Sequence, residues 1–358
     1  MPPLILPIFL PNLGCRERCL FCNQRAAAEG LPSPSSVRNL IEASLAKIPH
    51  DKKNREKQVA FYGGSFTAIH RDDQVRYLKE VQPFLASGLI DSIRISTRPD
   101  ALDEETLSVL KVHGVKTIEV GVQSMIDEVL TLANRGHSAK DTADAVSRLK
   151  NRYFEVGLQL MIGLPGDTCD HFLQTLDQVM ELKPNFVRIH PTLVLKGAPL
   201  ELLWRNGEYF PLSLEEAVQW VKKGILRLEN SSLSIARIGL QPTRELQRDF
   251  LAGPYHPALR QLVESAIFFD MATSLLRRAQ KNEHALFFCH PKEASNLRGQ
   301  KNENILRLKK EFKLSEILID GRKELPRGCL ALQTQGGAVS IHRKSLVLLG
   351  IISSYRRG

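Results

Sequence analysis

The chain has 358 residues, of which 43% are hydrophobic and 25% are charged. These proportions exclude a disordered or fibrous chain and are typical of a globular protein with a sizeable core. The first 14 residues are apolar but rich in proline, and they lack a basic region. We therefore expect neither a signal peptide nor a membrane span there, and the sequence predicts a cytoplasmic protein.

Charge is distributed unevenly along the chain. Residues 1–270 carry 32 basic and 32 acidic side chains, whereas residues 271–358 carry 17 and 7, a net charge of +10. This shift indicates a domain boundary. We predict three segments: a barrel over 1–232, a connecting segment that closes it over 233–270, and a small basic domain over 271–358. The basic excess indicates either a polyanionic partner or a solvated face that aids solubility.

Strand-like and helix-like segments alternate through the first 230 residues. The predicted strands are 4–10, 58–62, 92–97, 117–122, 156–162 and 186–193. The predicted helices are 36–47, 73–81, 104–112, 139–150, 169–182 and 214–229. We expect Ser35 to cap the first helix and Pro83 to end the second. Six consecutive βα units favour a parallel barrel, complete or partial, or a doubly wound sheet.

Polar side chains recur at every second position of several predicted strands. One face of each such strand carries the following residues: Arg94, Ser96 and Arg98; Glu119, Gly121 and Gln123; Gln159, Met161 and Gly163; Arg188, His190 and Thr192. Strands buried on both faces would instead be almost continuously apolar. The pattern therefore favours an α/β fold with a polar barrel interior that opens at the carboxyl ends of the strands.

The remaining sequence predicts a small α/β appendage. Its predicted elements are strand 234–240, helix 257–280, strand 285–290, helix 302–312, strand 316–320, and a hairpin of strands 330–334 and 338–341. Pro257 is expected in the first turn of the long helix, where proline is tolerated.

Three of the six cysteines lie within eight residues, as Cys15, Cys19 and Cys22. Their C-x3-C-x2-C spacing on a loop after the first strand predicts an iron–sulfur cluster with one iron left open. The alternatives are a structural zinc site, which normally takes four protein ligands, or three unrelated thiols. Cys289 and Cys329 have apolar neighbours and are expected to be buried core thiols.

The cysteine spacing, with the aromatic Phe21 before the last cysteine, resembles the signature of radical S-adenosylmethionine (SAM) enzymes. That resemblance implies a partial (β/α)6 TIM-like barrel, a [4Fe-4S] cluster on the three cysteines, and SAM bound at the open iron. It also implies that a reduced cluster cleaves SAM to a 5′-deoxyadenosyl radical, which abstracts hydrogen from a substrate. The residues that the resemblance implies in SAM binding are Phe21, Gly63, Gly64, Ser65, Ser96, Arg98, Gln123 and Met161.

Several longer motifs resemble the radical SAM core and C-terminal extension of the catalytic subunit of Elongator, without its acetyltransferase domain. They include Arg98–Asp100, Glu119–Ser124, Asn134–His137, Met161–Asp167 and Pro191–Gly197. A weaker likeness is to oxygen-independent coproporphyrinogen III oxidase, through Gly-Val-Gln-Ser and Gly-Leu-Pro-Gly.

Together, the resemblance and the basic tail make tRNA the leading substrate class, bound through the C-terminal domain. An electron donor such as flavodoxin or ferredoxin is implied as a second partner. Two alternatives stay open: a radical enzyme that acts on a small metabolite, and an RNA-binding accessory protein whose cluster is structural. The catalytic residues themselves cannot be named from the sequence.

Overall fold

The computed structural model describes residues 3–15, 19–23, 31–229, 231, 233–279 and 283–348. Seven strands form one sheet in the order β1-β2-β3-β4-β5-β6-β8, and the pairs from β1 to β6 are all parallel. These strands are β1 (Leu4–Phe9), β2 (Lys57–Tyr62), β3 (Ser92–Thr97), β4 (Val115–Gln123), β5 (Glu155–Ile162), β6 (Phe186–Pro191) and β8 (Ser234–Ile238). Two short strands, β7 (Val194–Leu195) and β9 (Phe250–Ala252), pair with each other in antiparallel fashion.

Helices connect the strands in the expected alternation. They are α1 (Pro34–Ala46), α2 (Arg71–Ala86), α3 (Glu104–Val112), α4 (Asp127–Leu132), α5 (Ala139–Asn151), α6 (Cys169–Leu182), α7 (Pro199–Arg205), α8 (Leu214–Leu228) and α9 (Arg244–Asp249). The caps explain several boundaries, since Asp103 accepts a hydrogen bond from Thr106 N, and Ser213 forms a capping box with Glu216. The sequence missed the short helices α4, α7 and α9.

The sheet is strongly curved, as a partial barrel requires. β2 and β6 are separated by three strands, so a flat sheet would place them about 19 Å apart at the usual strand spacing of about 4.8 Å. Yet Arg188 Nη2 on β6 lies 3.3 Å from the Tyr62 hydroxyl on β2. The side chains meet because the sheet curls around them, and this confirms the predicted partial (β/α)6 barrel with its polar interior.

Three local predictions are wrong. The first helix begins at Pro34 with Ser33, rather than Ser35, at its N-cap, because proline is already shaped for the first helical position. Pro83 lies inside α2, which continues to Ala86. The helix tolerates the lost hydrogen bond because it occurs in the last turn, next to Phe84, which is 7% exposed. Pro257 precedes the long helix, which begins at Leu259.

Contacts divide the chain into two units. The first contains residues 1–211, 233–237 and 242–253, and the second contains 212–232, 238–241 and 254–358. Helix α8, which the sequence assigned to the barrel segment, thus groups with the second unit. The predicted segment boundaries at 232 and 270 are not tested by this division and stay a prediction.

The second unit holds the predicted α/β appendage. Its four-stranded sheet has the order β11-β10-β12-β13, formed by β10 (His284–Cys289), β11 (Glu316–Gly321), β12 (Cys329–Thr334) and β13 (Gly337–His342). The hairpin of β12 and β13 is antiparallel, as expected. The helices are α10 (Leu259–Arg278), α11 (Ala294–Arg298), α12 (Glu303–Phe312) and α13 (Ser345–Leu348). None of the helices in the described part of the chain combines the length and apolar character that a membrane crossing requires.

Candidate active site

The cysteine loop is fixed to the segment that follows β2. Asn12 N donates to Gly63 O at 2.8 Å, and Ser65 N donates to Leu13 O at 2.9 Å. A Cβ on Gly64 would lie only 2.3 Å from Leu13 O, so this position requires glycine. The glycine motif therefore supports the backbone of the cysteine loop, in addition to any role in receiving SAM.

Each of the three thiols has a distinct polar neighbour. Cys15 Sγ lies 3.6 Å from Ser65 Oγ, and the Cys22 thiol donates to Asn12 Oδ1 at 3.3 Å. Cys19 is buried, and Arg135 Nη1 donates to its sulfur at 3.0 Å. All three potential metal ligands of the loop are thus thiols, and the guanidinium group of Arg135 lies beside one of them.

The electrostatics of the loop favour a bound cation. Burial, followed by negative charge on Cys19 and Cys15, raises the pKa of Cys22 to about 12, although Arg135 lowers it. Three neighbouring thiolates repel one another, and iron would remove this repulsion. Within the described residues, no group of three or more His, Cys, Asp or Glu side chains has a geometry ready to hold a metal ion. The chemistry of the donors, soft sulfur throughout, nevertheless fits an iron–sulfur cluster.

Arg135 is a site residue that belongs to the motif Asn134–His137, and the sequence predicted no role for it. It is 6% exposed, and its second terminal nitrogen donates to Gly121 O at 2.6 Å. The turn that presents it has positive φ at Asn134 and Gly136 and receives a hydrogen bond from Leu20 N to Ala133 O at 3.1 Å. The residue types Asn and Gly, which tolerate this backbone, were the only sequence signal for the turn.

Phe21 and Met161 lie in one apolar cluster. Phe21 and Ile126 pack against Val129, Ala133, Met161 and Leu164. The structure therefore brings together two of the residues that the sequence associated with SAM, one from the cysteine loop and one from β5. An apolar wall of this kind suits an adenine face.

The interior of the curved sheet carries a charged network. Glu119 receives hydrogen bonds from Arg94 Nη1 at 2.7 Å and Arg188 Nη2 at 3.0 Å, and from the Tyr62 hydroxyl at 2.8 Å. Gln58 Oε1 binds the other side of Arg94 at 2.7 Å. One buried carboxylate thus serves two guanidinium groups, and the interior keeps excess positive charge.

The other predicted SAM residues lie near the carboxyl ends of β2, β3 and β4, in different environments. Ser65 is buried beside Cys15, and Ser96 is half-buried on β3. The buried Arg98 forms two hydrogen bonds with the Asp100 carboxylate, at 2.8 and 2.9 Å, so its charge is already compensated. Gln123 ends β4 with a φ of 67°.

Unsatisfied polar atoms mark the same rim. Gln123 Oε1 and Thr192 Oγ1 belong to side chains that are 4% and 1% exposed, and neither has a hydrogen-bond partner. His190 Nε2 is likewise buried without a partner. Buried polar atoms are normally paired, so three such atoms at the ends of β4 and β6 indicate a place where a polar ligand binds.

Two titratable groups, the half-buried Asp167 and the buried His137, lie near the rim. Burial raises the pKa of Asp167 to about 7, although Gly163 N and Thr168 N donate to its carboxyl. Burial, then the charges of Arg135 and Arg98, lower the pKa of His137 to about 4. The Tyr209 hydroxyl donates to Gly163 O at 2.6 Å and fixes the loop after β5. The sequence did not single out these individual roles.

Comparison with protein families gives two matches along the chain. The model of the radical SAM superfamily matches residues 10–179, which include the cysteine loop and β2 to β5. The model of the radical SAM C-terminal domain matches residues 184–268.

Two similar proteins match parts of the chain. The tRNA uridine(34) acetyltransferase of Methanocaldococcus infernus is 35% identical over 128 residues, which are 35% of this chain and 24% of that protein. The uncharacterized protein MJ0486 of Methanocaldococcus jannaschii is 29% identical over 221 residues, 59% of this chain and 67% of that protein. The match thus spans about a quarter of the first of these relatives.

A solved structure agrees in fold. The archaeal Methanocaldococcus infernus Elp3 with an N-terminal deletion has a TM-score of 0.60 and 23% identity, and the match covers 75% of this chain and 63% of that one. The predicted resemblance is confirmed by the family models and by these relatives. Enzymes of this family use a [4Fe-4S] cluster and SAM. The chain is an enzyme of the radical SAM superfamily, with the cysteine loop after its first strand and a radical SAM C-terminal domain.

Proposed function

We propose that Cys15, Cys19 and Cys22 hold a [4Fe-4S] cluster at the carboxyl rim of the barrel, and that the enzyme uses it to modify tRNA. When bound and reduced, the cluster supplies the electron that cleaves SAM to methionine and a 5′-deoxyadenosyl radical, which takes hydrogen from the substrate. The observation that carries the proposal is the thiol-only loop with Arg135 beside Cys19. The proposal places the enzyme in the cytoplasm, with flavodoxin or ferredoxin as electron donor.

The chain's own residues would orient SAM and exclude water. Gly63, Gly64 and Ser65 offer backbone and hydroxyl groups next to Cys15, while Phe21 and Met161 offer an apolar wall. Ser96, Arg98 and Gln123 complete the proposed set, and the side-chain carbonyl oxygen of Gln123 is available to accept a hydrogen bond from a ligand. Because Arg98 is occupied by Asp100, its proposed contact with the SAM carboxylate requires that pair to open or to be shared.

Support for tRNA comes from the relatives and from charge. The names of several relatives state an action on tRNA uridine 34. In the second unit, a groove of about 730 Å³ is lined by five Lys and Arg side chains and three Glu side chains. Arg343 is neutralised there by Glu229 and Glu264, at 2.7 Å each. Lys292 and Lys344 also line it, so phosphate groups would find cations in this groove.

The proposal is tested by anaerobic reconstitution with iron and sulfide, followed by dithionite reduction in the presence of SAM and tRNA. We expect 5′-deoxyadenosine and a mass change in one tRNA nucleoside. SAM cleavage without any effect of tRNA would favour a small-metabolite substrate. An intact cluster with tRNA binding but no SAM cleavage would favour an RNA-binding accessory protein.

A further inference from the structure

An exposed aromatic side chain lies on the inner face of the curved sheet. Along β1, Leu6 and Ile8 are buried, whereas Pro7 and Phe9 are exposed, so the two sets point to opposite faces. The Phe9 ring centroid lies 6.4 Å from that of Tyr62, whose hydroxyl reaches Glu119 in the interior. Phe9 therefore shares the interior face, and it is 56% exposed there.

Cations lie beside this aromatic pair. The Arg188 guanidinium stands 5.7 Å from the centroid of the Tyr62 ring. Arg237 lies on β8, which is the neighbour of β6 in the sheet. Burial lowers the pKa of Arg237, and the nearby charge of Arg188 lowers it further. His190 belongs to the same group, because burial, Arg188 and Arg237 lower its pKa to about 3 and keep the imidazole neutral.

Two guanidinium groups share one carboxylate in this network. Glu119 is the acidic partner of both Arg94 and Arg188, at 2.7 and 2.9 Å. Arg237 lies on β8, the strand next to the β6 strand that carries Arg188. An exposed aromatic face beside guanidinium groups is the combination that binds a nucleotide, since bases stack on aromatic rings and Arg binds phosphate.

We propose that the barrel interior holds one unstacked nucleotide of the RNA substrate, with its base on Phe9 and Tyr62 and its phosphate near Arg188 and Arg237. The inference rests on the proposed function and specifies how the substrate nucleotide would be held. It assigns Phe9, Tyr62 and Arg237 a binding role that the cofactor does not require. A neutral His190, with an unpaired Nε2, would add a hydrogen-bonding group to the same face.

The test uses the full-length protein and three probes at low salt: uridine 5′-monophosphate, uridine and inorganic phosphate, titrated by calorimetry. The parent protein should bind the monophosphate more tightly than uridine or phosphate. Phe9→Ala should weaken binding of the monophosphate and of uridine by about tenfold, because base stacking is lost. Arg237→Gln should remove most of the preference for the monophosphate over uridine.

Matched controls distinguish the loss of the Phe9 ring or the Arg237 charge from the general effect of removing an exposed side chain. Phe210→Ala removes another exposed phenylalanine, which is 80% exposed, and Arg76→Gln removes an exposed arginine on α2. Neither should change binding by more than about twofold. If Phe9→Ala fails to give a folded protein by circular dichroism, Phe9→Leu keeps the bulk without the aromatic face and should show the same loss.

The inference is overturned if the parent does not bind the monophosphate, if folded Phe9 variants bind it as the parent does, or if inorganic phosphate competes equally well. These outcomes differ from failure of the proposed function, which is measured by SAM cleavage in the parent protein. A parent that cleaves SAM while Phe9→Ala leaves nucleotide affinity unchanged rejects the inference alone. A parent that binds nucleotide through Phe9 but never cleaves SAM rejects the proposed function alone.

Discussion

At the scale of single residues, Arg135 supplies the positive charge that lies against Cys19 in the cysteine loop. Its guanidinium joins Cys19 Sγ to Gly121 O, so it fixes the loop to the end of β4. The sequence predicted the three cysteines from their spacing alone. It could not predict Arg135, because a contact across 116 residues of chain depends on the fold.

Replacing Arg135 should shift the reduction potential of the cluster. Arg135→Gln removes a positive charge and a charge-assisted hydrogen bond, which stabilise the more negative, reduced cluster. We expect the potential to fall by on the order of tens of millivolts, as judged from about 59 mV per tenfold change in a one-electron equilibrium. The measurement is a redox titration monitored by electron paramagnetic resonance.

Arg135→Lys keeps the charge but not the two-pronged contact, so its potential should lie between those of the parent and of Arg135→Gln. An unchanged potential in Arg135→Gln, with normal iron content, would show that Arg135 serves only to hold the loop.

His137 should make the apoprotein less stable in weak acid. Its folded pKa is about 4, below the ordinary value of 6.5, so the unfolded chain binds the proton more readily. The stability present above pH 6.5 is therefore lost as the pH falls toward 4. Between pH 7 and 5 this residue should account for about 2 kcal/mol of the free energy of unfolding.

Urea unfolding of the parent and of His137→Gln at both pH values tests this prediction. The variant should lose less stability on acidification than the parent does. Asp167, with a folded pKa of about 7, acts in the opposite direction, since its raised pKa stabilises the protein as the pH falls from 7 toward 3.8. Equal pH dependence in parent and variant would contradict the assignment for His137.

At the scale of elements, the glycine motif after β2 and the cysteine loop after β1 form one structural unit. Gly14 and Gly64 each lack a side chain where the other segment approaches, since a Cβ on Gly14 would lie 2.4 Å from Ser65 O. The sequence predicted the motif from family resemblance and related it to SAM. The structure adds the backbone contact, which no local pattern encodes.

A methyl group at position 64 should therefore disturb cluster assembly. Gly64→Ala places a Cβ against Leu13 O and Leu10 O, at 2.3 and 2.7 Å, and the loop must shift. We expect the iron content after reconstitution to fall by more than half. Gly336→Ala is the matched control, because nothing lies within 4 Å of its added Cβ, and its iron content should equal that of the parent. Normal iron in Gly64→Ala would mean that the loop adjusts without cost.

The boundaries of regular elements were predicted well where local signals were strong. α3 and α6 have the predicted bounds, and Asp103 caps α3 as expected. Predictions failed where tertiary packing overrides a local signal, as for Pro83, which lies inside α2 because the buried Phe84 extends the helix past it. The partners of Glu119 and the positions of the unpaired atoms on β4 and β6 depend on sheet curvature and were beyond local reasoning.

At the scale of the whole molecule, the net positive charge is concentrated in the last quarter of the chain. Residues 1–270 have no net charge, and residues 271–358 carry +10. If the second unit binds tRNA phosphates, affinity should fall steeply with salt, with a log–log slope of roughly −0.7 to −0.9 per phosphate contact. Fluorescence anisotropy with labelled tRNA measures that slope.

The groove in the second unit predicts which charges matter. Replacing both Lys292 and Lys344 by alanine should reduce the salt-dependence slope by the contribution of about two phosphate contacts. It should also weaken binding to all tRNAs by a similar factor. Lys140→Ala, an 84% exposed lysine on α5, is the control and should leave the slope unchanged. If the double variant binds like the parent, the basic groove does not contact tRNA.

The central claim is that the thiols of Cys15, Cys19 and Cys22 together support reductive cleavage of SAM. The most direct measurement is 5′-deoxyadenosine formation by anaerobically reconstituted, dithionite-reduced protein, with iron determined in the same samples. The parent should hold about four irons and form 5′-deoxyadenosine. Alanine at any of the three positions should abolish both, while Cys169→Ala and Cys329→Ala should keep both. A Cys19→Ala protein that retains its iron and still forms 5′-deoxyadenosine would contradict the account.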